Sequence, residues 1–187
     1  MAETTKQPSS RNRGPRRRDN NSAPAEPKQF EELVINIDRV SRVVKGGRRF
    51  RFKALVVVGN RKDLVGIGVA KGADVQAAVA KATDVAKKNL IKVAIENDTI
   101  SHDVEVKFSG ARVMLKPAAP GTGIIAGGVV RSIIGVTGIS NLLTKSLGSS
   151  NKVNIAYATI DALKSLVPRD QWLNHKDKKA PVVKEAE

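Results

Sequence analysis

Between positions 34 and 58 the chain alternates apolar and polar residues with a period of two. Val34 to Val44 is a β-branched run broken by charges, and Lys45-Gly46-Gly47-Arg48 has the composition of a turn. After it, Phe50, Phe52, Ala54, Val56 and Val58 alternate with Arg49, Arg51 and Lys53. Strand side chains alternate faces, so the pattern predicts a half-buried hairpin with both phenylalanines turned to a core and Arg51 and Lys53 facing solvent or a ligand. Leu64 to Ala70 predicts a third strand. From Asp74 to Ile95 the period lengthens, and Val75, Ala78, Val79, Ala82, Ala86, Leu90 and Val93 fall on one helical face. One helix covering a three-stranded sheet is the expectation.

The second half has a different texture. Residues 104–115 predict two strands turning at Ser109-Gly110, then a loop from Pro117 to Gly123 and a short helix from about Gly127 to Ile134 that carries Arg131. Gly138 to Leu147 predicts another strand. Asn151 can cap a last helix whose positions Val153, Ala156, Ile160, Leu163 and Val167 form one stripe, with Pro168 ending it.

Composition sets the limits of these elements. Residues 1–28 hold four prolines among Ser, Asn and Gln and cannot bury enough apolar area to offset ordering, which predicts a disordered basic extension. A transit peptide is the sharper alternative, but the stretch has acids and no apolar stripe. Residues 168–187 read as a flexible polar tail. Between them, 29–97 and 98–167 read as two small α+β domains. No apolar run has the length of a bilayer span, so a soluble intracellular protein without membrane contact is expected.

Charge narrows the partner. The formal charge is +15, and residues 29–95 carry 14 basic and 6 acidic side chains. Arg39, Arg42, Lys45, Arg48, Arg49, Arg51, Lys53, Arg61 and Lys62 occur with no acid between Asp38 and Asp63. A like-charged block inside a strand pattern needs counter-charge from outside, and phosphate supplies it. The bland reading, a charged edge that prevents sheet aggregation, needs fewer cations. With only six aromatics, and Phe50 and Phe52 assigned to the core, RNA recognition by shape and backbone is expected rather than base stacking.

Catalytic readings find little support. The chain has no cysteine, and His102 beside Asp103 has no serine or second acid at catalytic spacing. Gly66, Gly68 and Gly72, and Gly121, Gly123, Gly127 and Gly128, fulfil no nucleotide fingerprint. They read as close sheet packing and structural turns. A kinase-like use of the 121–123 loop is the alternative from another class, without a convincing acid to hold magnesium. No cofactor, metal or enzymatic activity is expected.

The ordered runs RVSRVVKGGRRF (39–50), ALVVVGN (54–60), KPAAPGTGIIAGG (116–128) and LGSSN (147–151) resemble the bacterial S-five family of small-subunit ribosomal proteins, from about Glu31 to Leu166. The resemblance implies a first domain like a double-stranded-RNA-binding domain without its first helix, then a βαβ-type second domain. It implies a non-enzymatic ribosomal component in the cytoplasm that binds rRNA, supports assembly and accurate decoding, and does not homo-oligomerise. Arg39, Ser41, Arg42, Lys45, Gly46, Gly47, Arg48 and Arg49 stand at the family's rRNA-facing loop, and the charge pattern adds Arg51 and Lys53. Small-subunit proteins four and eight are the implied neighbours, with Arg112, Gly121, Thr122, Gly123 and Arg131 at the interface with protein four. A free double-stranded-RNA-binding or chaperone protein is the runner-up. This chain departs from the family at Asn60-Arg61-Lys62-Asp63, where a glycine-rich turn is usual, which implies altered contact with RNA or solvent. It departs again at Ala70-Lys71-Gly72, which argues against a contact by Lys71.

Overall fold

The computed structural model describes residues 30–172, so the expected extension over 1–28 lies outside the described residues, as does the tail beyond Trp172. Strands β1 (Glu31–Val44) and β2 (Gly47–Gly59) pair antiparallel from Glu31 opposite Gly59 to Val44 opposite Gly47, with a register shift between Val34 and Asn36. Gly46 turns the hairpin at φ +87°, a conformation that only glycine adopts without strain. Strand β3 (Leu64–Gly72) joins β2, and helix α1 (Val75–Lys88) lies across one face of the sheet.

Helix α1 stops well before Ile95. Asn89 caps it, and Leu90–Lys92 forms a strand, β4, that pairs with β3 and makes the sheet four-stranded in the order β1-β2-β3-β4. Leu90 and Val93 fit a helical stripe and a short strand equally well, so periodicity could not separate them; the free edge of β3 decides. The buried helix face is Ala78, Ala82 and Ala86, and Val75, expected on it, is exposed. Those alanines meet Gly66, Gly68 and Gly72 of β3. A Cβ on Gly68 would lie 2.7 Å from the Ala86 nitrogen and in hard contact with the Ala82 carbonyl. The glycines therefore serve close helix-on-sheet packing, as read from the sequence.

A small hairpin follows, β5 (Ile95–Glu96) and β6 (Thr99–Ile100), its tip formed by Asn97 and Asp98 at positive φ. The second sheet comprises β7 (Val104–Phe108), β8 (Ala111–Pro117), β9 (Ile124–Ile125) and β10 (Leu142–Gly148) in the order β7-β8-β10-β9. Helix α2 (Gly128–Thr137) connects β9 to its parallel neighbour β10, which is the βαβ unit. Asn151 caps helix α3 (Lys152–Lys164), its side chain accepting from the Val153 N–H at 3.1 Å. The architecture is α+β, with two sheet-rich halves and three α-helices among the described residues.

Helix α3 ends at Lys164, before Pro168, and Val167 is exposed instead of continuing the buried stripe. The residues at the start of the expected flexible tail are seated. Arg169 to Gln171 form one 3₁₀ turn, the Arg169 N–H donates to Glu96 at 2.8 Å, and Trp172 Nε1 donates to the Val167 carbonyl at 3.2 Å. His102 packs edge-on to Trp172 with ring centres 6.1 Å apart and is a packing residue.

The two halves share one core. Leu55, Val57, Val65 and Ile67, on the sheet face opposite α1, pack with Val113, Leu115, Ile133, Ile134 and Leu163. The backbone of the Asn60–Asp63 turn belongs to this joint, while the Arg61 and Lys62 side chains remain exposed to solvent. Asn60 Oδ1 accepts the N–H groups of Lys62, Asp63 and Leu64, which lets Arg61 take φ 56° and donate its N–H to the Val136 carbonyl at 2.9 Å. Side-chain hydrogen bonding thus holds a turn that glycine would otherwise supply. Lys152 Nζ adds a second tie, donating to Asn36 Oδ1 at 2.7 Å.

Candidate nucleic-acid interface

The distal half of the β1–β2 hairpin runs beyond the cover that α1 and the second domain provide. From Arg39 to Lys53 no side chain is fully buried. Cross-strand register sorts the cations onto two faces, because residues directly opposite each other share a face. Arg42 stands opposite Arg49, Val40 opposite Arg51, and Asp38 opposite Lys53. The other face holds Arg39 opposite Phe52, Ser41 opposite Phe50, and Val43 opposite Arg48. Lys45 and Gly46 form the tip between them.

On the first face Arg42, Arg49 and Arg51 line an open cleft of about 220 Å³ with Val40, Ser41 and Lys71. Lys71 is the residue that sequence reasoning set aside. It reaches the cleft because β3 pairs with β2 so that Lys71 stands opposite Lys53. The available signal was that Lys53 and Lys71 lie nine residues to either side of Lys62 in the turn that joins β2 to β3, but the third strand expected from the sequence ends at Ala70, one residue short of Lys71. Among the described residues no carboxylate ion-pairs with Arg39, Arg42, Lys45, Arg48, Arg49, Arg51 or Lys71. Clustered cations with no internal counter-charge present a surface for a polyanion.

Three members of the sequence-defined block differ. Lys53 pairs with Asp38 at 2.8 Å and is half-buried, so part of its charge is spent inside the protein. Arg61 and Lys62 lie at the far end of β2, and Arg61 is bound to the Glu31 carboxylate through two nitrogens. Eight strand steps, from Arg51 to the end of β2 at Gly59, put roughly 26 Å between Arg51 and the turn that holds Arg61. Contiguity along the chain put them in one patch; the strand takes them out of it.

Asp38 also accepts from Asn36 Nδ2 at 2.7 Å, and the bonds from Lys53 first and Asn36 second hold its carboxyl below the usual aspartate range. Its contribution to stability is therefore complete above the unfolded value of about 3.9 and is lost as the pH falls through the lower folded value. An NMR titration is expected to place the Asp38 carboxyl below ordinary aspartate, and Lys53→Met to move it upward. A titration indifferent to that substitution would remove the pair as the cause.

The second set of site residues is not gathered at one point. Arg112 on β8 pairs with Glu105 at 2.9 Å and stands opposite Leu147, while the Gly121-Thr122-Gly123 loop adjoins the other end of the ladder, where Pro117 faces Leu142. Five register steps, roughly 17 Å, lie between. Arg131 lines a separate cleft with Glu31, Arg61 and Gly135. The loop is a structural turn: the Gly121 and Gly123 N–H groups donate to buried Asn141 Oδ1 at 3.0 and 3.1 Å, and the Thr122 N–H to Ala119 O at 3.2 Å. With all three amides committed internally, the loop offers no phosphate cradle of the kinase kind.

Residues 30–94 match the family described as "Ribosomal protein S5, N-terminal domain", and residues 106–174 match "Ribosomal protein S5, C-terminal domain". Proteins named "Small ribosomal subunit protein uS5" from Campylobacter jejuni strains 81-176 and RM1221 are each 56% identical over 138 residues, covering 74% of this chain and 94% of theirs. Two consecutive domain matches on this α+β frame, with its cationic hairpin, define the class as a ribosomal protein. Within that class, the chain belongs to the ribosomal protein S5 family.

Proposed function

We propose that the chain is a structural constituent of the small ribosomal subunit that binds rRNA through the distal β1–β2 hairpin and supports subunit assembly and accurate decoding. The observation that carries this reading is the clustering of Arg42, Arg49, Arg51 and Lys71 around one open cleft without a carboxylate among the described residues. Guanidinium forks suit phosphate oxygens, and a two-stranded ribbon with cations on both faces can lie between backbone segments. The mechanism is charge neutralisation and positioning, with no chemical step. The second domain is the side for protein neighbours, small-subunit proteins four and eight, through Arg112, Arg131 and the surface of the 121–123 loop. The setting is the ribosome in the cytoplasm.

Cosedimentation tests the reading. The full chain, expressed with a small tag in bacterial cells, is expected in the small-subunit fraction of a sucrose gradient and to remain there through a moderate salt wash. Recovery only from the light fractions would overturn it.

A further inference from the structure

Phe50 does not occupy the core position that its alternation with Phe52, Ala54, Val56 and Val58 predicts. Along that face Val56 and Ala54 are buried and Phe52 is half-buried, but Phe50 is 52% exposed because it lies past the end of the α1 cover. Its cross-strand partner is Ser41, too small to cover a ring. The Arg39 guanidinium sits over the ring at 4.7 Å from its centre. The next pair toward the tip on the same face is Val43, 74% exposed, with Arg48. An aromatic ring and a valine left open on a ribbon, with an arginine at either side, cost the free protein apolar exposure without contributing to its core.

We infer that Phe50, oriented by Arg39, is a stacking platform for one unpaired base of the RNA that the hairpin binds, an inference resting on the rRNA reading above. Charge complementarity selects the occupant: the patch holds Arg39 and Arg48 and, among the described residues, no acid, and it continues around the hairpin edge into the Arg42–Arg49–Arg51 cleft. Every base presents a π-face, and an aromatic ring backed by a guanidinium offers dispersion on one side while the cation holds the adjacent phosphate. The hairpin would then recognise two things at once, phosphates on the cleft face and an unstacked base on the Phe50 face. Stacking on Phe50 adds one base to the recognition by shape and backbone expected from the sequence.

The test uses the full chain with two RNAs of equal length and charge, a continuous duplex and the same duplex with a few pairs mismatched so that they open into a short unpaired internal bulge. Phe50→Ala is expected to weaken binding to the bulged RNA by about 5- to 150-fold, the range that base–aromatic stacking provides, and to leave the duplex affinity and both salt slopes unchanged. Phe50→Trp is expected to retain or strengthen the bulge preference, and Phe50→Leu, which keeps the apolar volume, to lose it. Equal losses on both RNAs, or no loss on either, would overturn the platform. If the unaltered chain binds neither RNA while cosedimenting with subunits, the platform falls and the ribosomal reading stands; if it does neither, both fall.

Discussion

Gly68→Ala is expected to lower stability by about 3 kcal/mol, while Gly135→Ala is expected to raise it by up to about 1 kcal/mol. Both are glycine-to-alanine changes in regular structure, and sequence alone ranks the helical glycine as the poorer choice. Around Gly68 the neighbours are the Ala82 carbonyl and the Ala86 nitrogen of α1, backbone atoms that cannot rotate away. A methyl group there forces the whole helix off the sheet and loosens the contact of Ala78, Ala82 and Ala86 with β3. Such overpacking costs ~1–3 kcal/mol, and a clash with helix backbone belongs at the upper end. At Gly135, exposed on α2, nothing outside the helix lies within 4 Å of the added carbon, so only the helical preference for alanine remains. Urea unfolding of the two variants reads the difference directly. Equal midpoints would mean that the α1–sheet distance is not fixed by the glycines.

How far the fold was legible follows from which signals are local. The turn at Gly46, the Ser109-Gly110 turn and the Asn151 cap depend on residues within a few positions of one another, and each stands where the sequence put it. The end of α1 was not legible, because Leu90 and Val93 serve a helix stripe and a β4 strand alike and the choice depends on the open edge of β3. The same distinction governs the interface. Alternation correctly assigned Arg49 and Arg51 to one face, but it says nothing of where α1 ceases to cover the opposite face, so Phe50 was placed in the core. Linear charge counting included Arg61 and Lys62 and passed over Lys71, whose place depends on β2–β3 register. The Asn60–Asp63 turn shows a third case: the missing glycine was legible, but not that Asn60 rebuilds the turn and Arg61 docks its backbone on Val136, since that depends on where α2 ends in space.

Replacing Arg42, Arg49 and Arg51 together with glutamine is expected to reduce rRNA affinity by about 500-fold at 0.1 M salt and to make the dependence of binding on salt shallower by about 2.7. The figures follow from three phosphate contacts at about 0.9 each in the slope of log affinity against log salt, taken to the 1 M reference. The variant is expected to remain folded, since all three side chains are exposed and none pairs with a carboxylate among the described residues. Arg61→Gln is the control that separates surface from composition. It removes one charge from the same 39–62 block, yet its guanidinium is held by Glu31 at the opposite end of β2, so the salt slope is expected to stay unchanged. Loss of Lys71 by Lys71→Gln, by contrast, is expected to lower the slope by nearly one unit although Lys71 lies outside the block. Fluorescence anisotropy of labelled rRNA fragments across a salt series measures all three. If Arg61 and Lys71 exchange these behaviours, the binding surface follows the charge order of the chain and not the cleft formed by strand pairing.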